Sequence, residues 1–425
     1  MSTSKLLIIS LLLIIFIQFE SVGQAAKTPF SAFGLGETFG NGLTQNQGMG
    51  GLGTSYPEYW HLNNVNPALL VFNTITVFEA GFIGEQKTIK GDSSSEKTGN
   101  GNLNYLAMGF PIKRGKWGTG FGLMPYTSVN YRLNYVGPIE NSTRTVDVVE
   151  RGSGGINQLY WSNGVRLHPN LSVGIKATYY FGAVINEFAT ALSESSQIIV
   201  YSNNIYDRQS YSGFGLSSGI SYHLDSLFGK KNYQFNVGLV YDFQSEIRGK
   251  FFERFERRNA GGILDSVTLI NNVPFFSTFP QTISGGISFG KGLDWMIGAD
   301  FSYIDYSKYA DYYGSAVGAN TGWQLTFGGK FIPDAGSVSN YLKRVTYRTG
   351  ISLSEAPFLI NGSALRDFGI NFGLSLPVSR ISSLDMAVKV GKRGDLQTNT
   401  IEENYFKLYF GITFNDQWFI KRRFD

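Results

Sequence analysis

The strongest constraint on this chain is an alternation of period two that recurs along most of its length. Between Phe368 and Leu376, the residues Phe368, Ile370, Phe372, Leu374 and Leu376 hold one parity, and Gly369, Asn371, Gly373 and Ser375 the other. Successive side chains of a strand point to opposite faces, so such a stretch is a strand with one apolar face and one small or polar face. Phe406, Leu408, Phe410, Ile412 and Phe414 repeat the pattern near the end of the chain, and Tyr233, Phe235, Val237, Leu239, Tyr241 and Phe243 repeat it in the middle. In this phase Asp242, Asp300, Arg348, Asp385 and Lys389 fall on the polar side. A basic side chain facing lipid at midplane would cost about 2–4 kcal/mol, so these charges are expected to point inward.

About fourteen such strands are expected, beginning near Thr74, Asn102, Trp117, Ile156, Leu171, Gly213, Tyr233, Gln281, Asp294, Thr321, Val345, Phe368, Leu384 and Asn404. Short connectors such as Lys113 to Lys116 and Lys291 to Leu293 alternate with long ones at Gln86 to Gly101, Asn134 to Gly154, Thr190 to Ser212 and Ser245 to Phe279. Short turns on one side and long loops on the other are what a transmembrane antiparallel β-barrel needs. One connector breaks the alternation: Pro333 to Arg344 is long where a short turn is expected, and a small helix at Ser337 to Leu342 would account for it. Composition agrees, because 52 Gly, 24 Tyr and 34 Phe accompany a mean hydropathy of only -0.08. The expected class is therefore all-β.

Residues 1–25 read as a cleavable secretory signal. Leu6 to Ile17 is an unbroken apolar run, shorter than a spanning helix requires, and small residues follow at Gly23, Ala25 and Ala26. The chain has no cysteine, which excludes a lipid-anchored leader, disulfides and thiolate metal sites. A net charge of +4 is small for this length and gives no case for nucleic acid.

Between leader and strands lies Ser31 to Leu70, rich in glycine yet carrying Phe33, Leu35, Phe39, Met49, Leu52, Tyr59, Trp60 and Leu70. It is too poor in hydrophobic periodicity to fold alone. The expectation is that 26–73 forms a hatch inside a barrel built from 74–425, with Gly48, Gly50, Gly51 and Gly53 allowing tight turns against the wall.

Catalytic chemistry finds no foothold. His61, His168 and His223 are scattered, no nucleophile elbow, zinc-protease or phosphate-loop motif occurs, and no cofactor or metal is implied. The dense stretch Phe251 to Arg258 offers Arg254, Arg257 and Arg258 for contact with lipopolysaccharide phosphates or a partner protein, or forms a strand extension held by Glu and Arg pairs. Tyr303 to Tyr313 is expected to supply an outer aromatic rim. Gly118, Gly120 and Gly122, with Pro125 beyond, either weaken the third strand into a wall opening or make room for the hatch.

These features together resemble the long-chain fatty acid and aromatic hydrocarbon transporters of outer membranes, the FadL/TodX family. The likeness is carried by Asn66-Pro67-Ala68 after the glycine-rich Gly48 to Gly53, by Phe279-Pro280-Gln281-Thr282 opening a strand, and by an aromatic terminal strand. The closing Trp418 to Phe424 is similar to barrels of the Bacteroidota. The resemblance implies a fourteen-stranded barrel in the bacterial outer membrane, plugged by a hatch. It further implies passive uptake of small hydrophobic compounds, long-chain fatty acids or aromatic hydrocarbons, through an opening beside the third strand. Relatives of this fold also serve as non-transporting subunits of outer-membrane assemblies in secretion or barrel insertion, which is the alternative expectation. Neither reading makes the protein an enzyme. Expected partners are outer-membrane lipids and lipopolysaccharide, a hydrophobic ligand, or other outer-membrane proteins.

Overall fold

The structure, a computed structural model, describes residues 25–92, 94–192, 201–227, 230–315, 319–379 and 381–416. The expected leader and the closing Trp418 to Phe424 lie outside them. Fourteen antiparallel strands form one closed barrel. In chain order they are β1 (Thr76–Lys90), β2 (Ser95–Lys113), β3 (Trp117–Pro138), β4 (Thr145–His168), β5 (Leu171–Leu192) and β6 (Ser202–Leu227). Then come β7, in two stretches (Lys230–Asp242 and Ser245–Asn259), and β8, also in two (Gly262–Phe279 and Gln281–Lys291). The ring is completed by β9 (Trp295–Asp305), β10 (Thr321–Phe331), β11 (Thr346–Ile360), β12 (Ser363–Pro377), β13 (Ser383–Asp395) and β14 (Ile401–Asp416). Pairing of β14 with β1, from Glu402↔Lys90 to Asp416↔Thr76, closes it.

Alternation decides the two faces. Phe214, Leu216, Ile220 and Tyr222 of β6 are exposed, whereas Ser217, Ser221 and His223, of the other parity, are buried. Asp300, Arg348 and Asp385 are buried in the interior, and Asp242 and Lys389 line its cavity.

Three long connectors expected as loops are mostly strand among the described residues. β3 pairs with β4 up to Pro138↔Thr145, β5 with β6 up to Ala191↔Ser202, and β7 with β8 up to Asn259↔Gly262. A sheet of β3 to β8 therefore stands above the rest of the barrel. The sequence disguises it because, clear of lipid, neither face needs to be apolar. Gln86 to Gly101 is likewise mostly ladder, from Lys87↔Thr98 to Lys90↔Ser95. The helix expected at Ser337 to Leu342 is a 3-10 turn at Tyr341–Arg344, begun by the Asn340 side chain accepting from the Leu342 amide. Tyr306 and Tyr309 do not join an outer rim. They are buried against Phe358 in an interior cluster, while Tyr303 and Tyr313 are exposed.

One wall joint is open. The β2–β3 ladder ends at Leu106↔Leu123, although β2 continues along β1 to Ser95 and β3 continues along β4 to Pro138. Pro125 supplies the cause: it has no amide hydrogen to donate, and a register shift follows it at Thr127.

Candidate functional site

Residues 25–73 thread through the interior and decide what the lumen can do. Residues 25–39 run along the free edge of β3. The Thr28 amide donates to the Asn130 carbonyl at 2.8 Å, Glu37 and Thr38 form a two-residue strand paired with Ser128 and Thr127, and the Phe39 amide donates to the Tyr126 carbonyl at 2.9 Å. On the other side of the joint the Ala26 amide donates to Glu85 Oε1 at 2.6 Å and the Lys27 amide to Thr98 Oγ1 at 3.3 Å. The open joint is thus stoppered by the chain's own backbone.

Further in, Leu43 to Asn73 packs across the barrel. A four-residue helix, Thr44–Gln47, leads into a reversal at Gly50 and Gly51, whose φ values of 78° and 99° are open to glycine and strained for other residues. Glycines of the wall receive this backbone. Gly328 and Gly350 lie against the Met49 carbonyl, and Gly373 against the Gly48 Cα, leaving no room for a side chain. Gly53 and the following Thr54 both donate their amides to Asp300 Oδ2 at 2.8 Å.

Asn66, Pro67 and Ala68 tie the segment down. Asn66 is fully buried, its side chain accepting from the Ala68 amide at 3.0 Å and donating to the carbonyls of Thr54 at 2.8 Å and Ile220 at 3.1 Å. It thereby caps the 3-10 helix Pro67–Phe72, which lies on Gly164 and Gly174 of β4 and β5. Gly118, Gly120 and Gly122 all pair in the intact part of the β2–β3 ladder. The first two face Leu70 and the third Tyr160, so the structure places the open joint just above them, beginning at Pro125.

Two buried ion-pair clusters fasten the segment from different sides. In the first, Glu37 accepts from Lys87 Nζ at 2.6 Å, Lys407 Nζ at 3.1 Å and Arg393 Nη1 at 3.1 Å. Burial alone would raise the Glu37 carboxyl, but these three cations hold it well below its usual value. In the second, Glu58 faces Lys330 at 3.6 Å, Arg348 at 3.5 Å and His61 Nδ1 at 3.5 Å, and His61 Nε2 lies 3.1 Å from Asp385 Oδ1. Burial disfavours the His61 cation, yet Asp385 and Glu58 outweigh it and push the imidazole up to about 10. Nothing in the sequence pattern singled out His61, because only the threading adds the remote carboxylate Asp385 to its local neighbour Glu58.

Above the segment a cavity of about 410 Å³ remains. Its lining includes the aromatics Tyr126, Tyr180, Phe279, Tyr306 and Phe358 and the charged Glu37, Asp300, Asp367, Lys389, Arg393 and Lys407. Among the described residues no cluster of histidines and carboxylates could hold a metal ion.

Arg254, Arg257 and Arg258 do not converge. Arg254 and Arg258 both pair with buried Glu256 on the outward face of β7, whereas Arg257, of the opposite parity, lies across from Asn203 and Asp265.

A family model described as BamG matches residues 4–425. No curated protein matches the sequence. Among solved structures, the chain is similar to a Pseudomonas aeruginosa FadL homologue, with 11% identity over 90% of this chain and 99% of that one and a TM-score of 0.57. It is similar to the Pseudomonas putida toluene transporter TodX, with 14% identity over 90% and 98% and a TM-score of 0.54. The monoaromatic hydrocarbon channel CymD matches with 13% identity over 91% and 99% and a TM-score of 0.52. At these identities the likeness is one of fold.

Proposed function

The chain belongs to the BamG family, and from the state of its lumen we propose that it is an outer-membrane barrel that works as a non-transporting structural subunit of a multi-protein assembly for secretion or barrel insertion. The observation that carries this reading is the fastening of 25–73. The segment completes the β3 edge, is hydrogen-bonded to β6 and β9, and is ion-paired to β1, β10, β11, β13 and β14. Breaking one partner of a buried pair costs about 3–5 kcal/mol, so opening the lumen means breaking several such contacts together. A hydrophobic solute would also have to cross a cavity edged by Lys389, Arg393, Lys407, Glu37 and Asp367, where pockets for such ligands are mostly apolar.

A second reading, passive uptake of a small hydrophobic compound, is favoured by the open β2–β3 joint with a cavity behind it and by the fold shared with hydrocarbon channels. Purification from native membranes in mild detergent, with dye uptake into liposomes as the companion measurement, separates the two. The subunit reading expects a stoichiometric partner protein and no uptake above empty liposomes. Rapid uptake by the barrel alone, with no partner retained, would reverse the choice.

A further inference from the structure

The outward face of the raised sheet carries an unbalanced positive charge. Cross-strand register fixes which side chains share that face. On β6, Tyr222, Ile220, Leu216 and Phe214 form the exposed apolar row, and continuing with the same parity the chain presents Ser212, Ser210 and Arg208. Arg248 and Lys250 of β7 sit opposite Ser212 and Ser210. Two strands away, Arg151 of β4 shares the face, and Arg132 of β3 lies directly across from it.

Like charges directly opposite one another destabilise a sheet, so the Arg132↔Arg151 pair calls for a counter-anion. The chain does not supply one: none of Arg132, Arg151, Arg208, Arg248 and Lys250 forms an ion pair with a carboxylate among the described residues. The acids on this face are fewer than the cations: Glu256 pairs with Arg254 and Arg258, Glu187, directly across from Arg151, pairs with Arg258, Glu246 lies two residues from Arg248, and Asp147 lies four residues from Arg151. Height matters as much as sign. Phe214 and Phe276 are 73% and 59% exposed, and Phe276 is directly opposite Arg248. The cations therefore begin where the lipid-facing aromatics stop, at headgroup level.

We propose that Arg132, Arg151, Arg208, Arg248 and Lys250 form a binding site for the phosphate groups of an outer-leaflet glycolipid, whose acyl chains lie on the aromatic and aliphatic rows below. Guanidinium groups match phosphate oxygens in paired hydrogen bonds. Register puts Arg151 level with Tyr206, so Arg208 lies two strand spacings across and two residues along from it, about 12 Å away, which suits a headgroup with two phosphates rather than one. The inference rests on the outer-membrane placement and holds whether or not the lumen conducts.

The test uses the purified full chain in mild detergent, with bisphosphorylated lipid A and its dephosphorylated form as probes and native mass spectrometry as readout. Wild type is expected to retain the bisphosphorylated form preferentially. The combined Arg132→Gln, Arg151→Gln, Arg208→Gln, Arg248→Gln and Lys250→Gln variant should bind it at least about tenfold more weakly, since each cation near an anionic lipid surface contributes measurably. Lys113→Gln with Lys116→Gln, at the opposite rim, should behave as wild type. Heat-modifiable gel migration confirms folding of each, and Arg208→Gln with Arg248→Gln alone serves if the fivefold variant does not assemble. Equal retention of both probes by wild type, or unchanged retention by the folded variants, overturns the proposal. So does loss of a co-purifying protein in the variants while lipid retention stays intact.

Discussion

His61 Nε2 and Asp385 Oδ1 lie 3.1 Å apart, joining the threaded segment to the wall through an imidazole that also faces Glu58. Asp385 on β13 and Glu58 on the segment itself raise the His61 value, Glu79 on β1 interacts with it, and Lys330 on β10 and Arg348 on β11 face Glu58 beside it. The folded state raises the His61 value to about 10, against about 6.5 for a free imidazole. A raised value means that its contribution is fully present below about pH 6.5 and is lost as pH climbs through about 10. Protease release of the segment from the intact barrel should therefore accelerate between these limits. In His61→Asn that pH dependence should vanish, and release should be fast throughout.

Glu37 is the acceptor on which three wall cations converge, Lys87, Lys407 and Arg393. Glu37→Gln leaves them facing one another with Glu85 and Asp367 as the remaining counter-charges. The expected cost is about 3–5 kcal/mol, the usual result of removing one member of a buried pair. It should appear as a lower temperature of gel-shift unfolding and as cleavage within 25–39. A shift of only a degree or two would mean that the cluster is hydrated and contributes little.

Steric fit offers a cleaner contrast than charge. A Cβ at Gly174 would collide with the Pro67 carbonyl carbon and the Ala68 amide, whereas one at Gly285 meets nothing within 4 Å. Gly174→Val is expected to cost about 3 kcal/mol or more by overpacking and to displace Pro67–Phe72. Gly285→Val should fold like wild type. Comparing refolding yield and melting of the two variants checks that inward glycines exist to admit backbone.

Much of the wall was legible because a lipid-facing strand must alternate. Rows such as Phe368 to Leu376 leave one solution, and the structure pairs that stretch with β11 and β13 in register. Legibility failed where lipid no longer imposes a pattern. Ser245 to Phe279 mixes charge and aromatics on both faces, so it reads as a long connector, and only the strand extension with Glu and Arg pairs expected at Phe251 to Arg258 anticipates the ladder found there. The interior was partly legible: inward Asp300 and Arg348 follow from parity, but their partners Gly53, Thr54 and Glu58 do not. Those pairings join positions hundreds of residues apart, and a single sequence carries no local signal for them. Pro125 marked the disturbed strand, while the segment that closes it, Glu37–Thr38, is too short to show periodicity.

Whether the stopper must move is open to a direct cross-link. Thr38 and Thr127 are antiparallel partners, a relation that sets Cα atoms about 4.5–5.5 Å apart, within reach of a disulfide. The chain has no cysteine of its own, so Thr38→Cys with Thr127→Cys yields one unambiguous bridge. It would pin residues 25–39 to β3 and hold the joint shut. A structural subunit has no need to open that joint, so the oxidised variant should keep its partner and restore the outer membrane of cells lacking the native copy. A channel that releases its cargo through the joint would fail when oxidised and recover with reductant. Redox-dependent complementation would therefore return the uptake reading to first place, because the same contacts that seal the wall would then be contacts broken in every cycle.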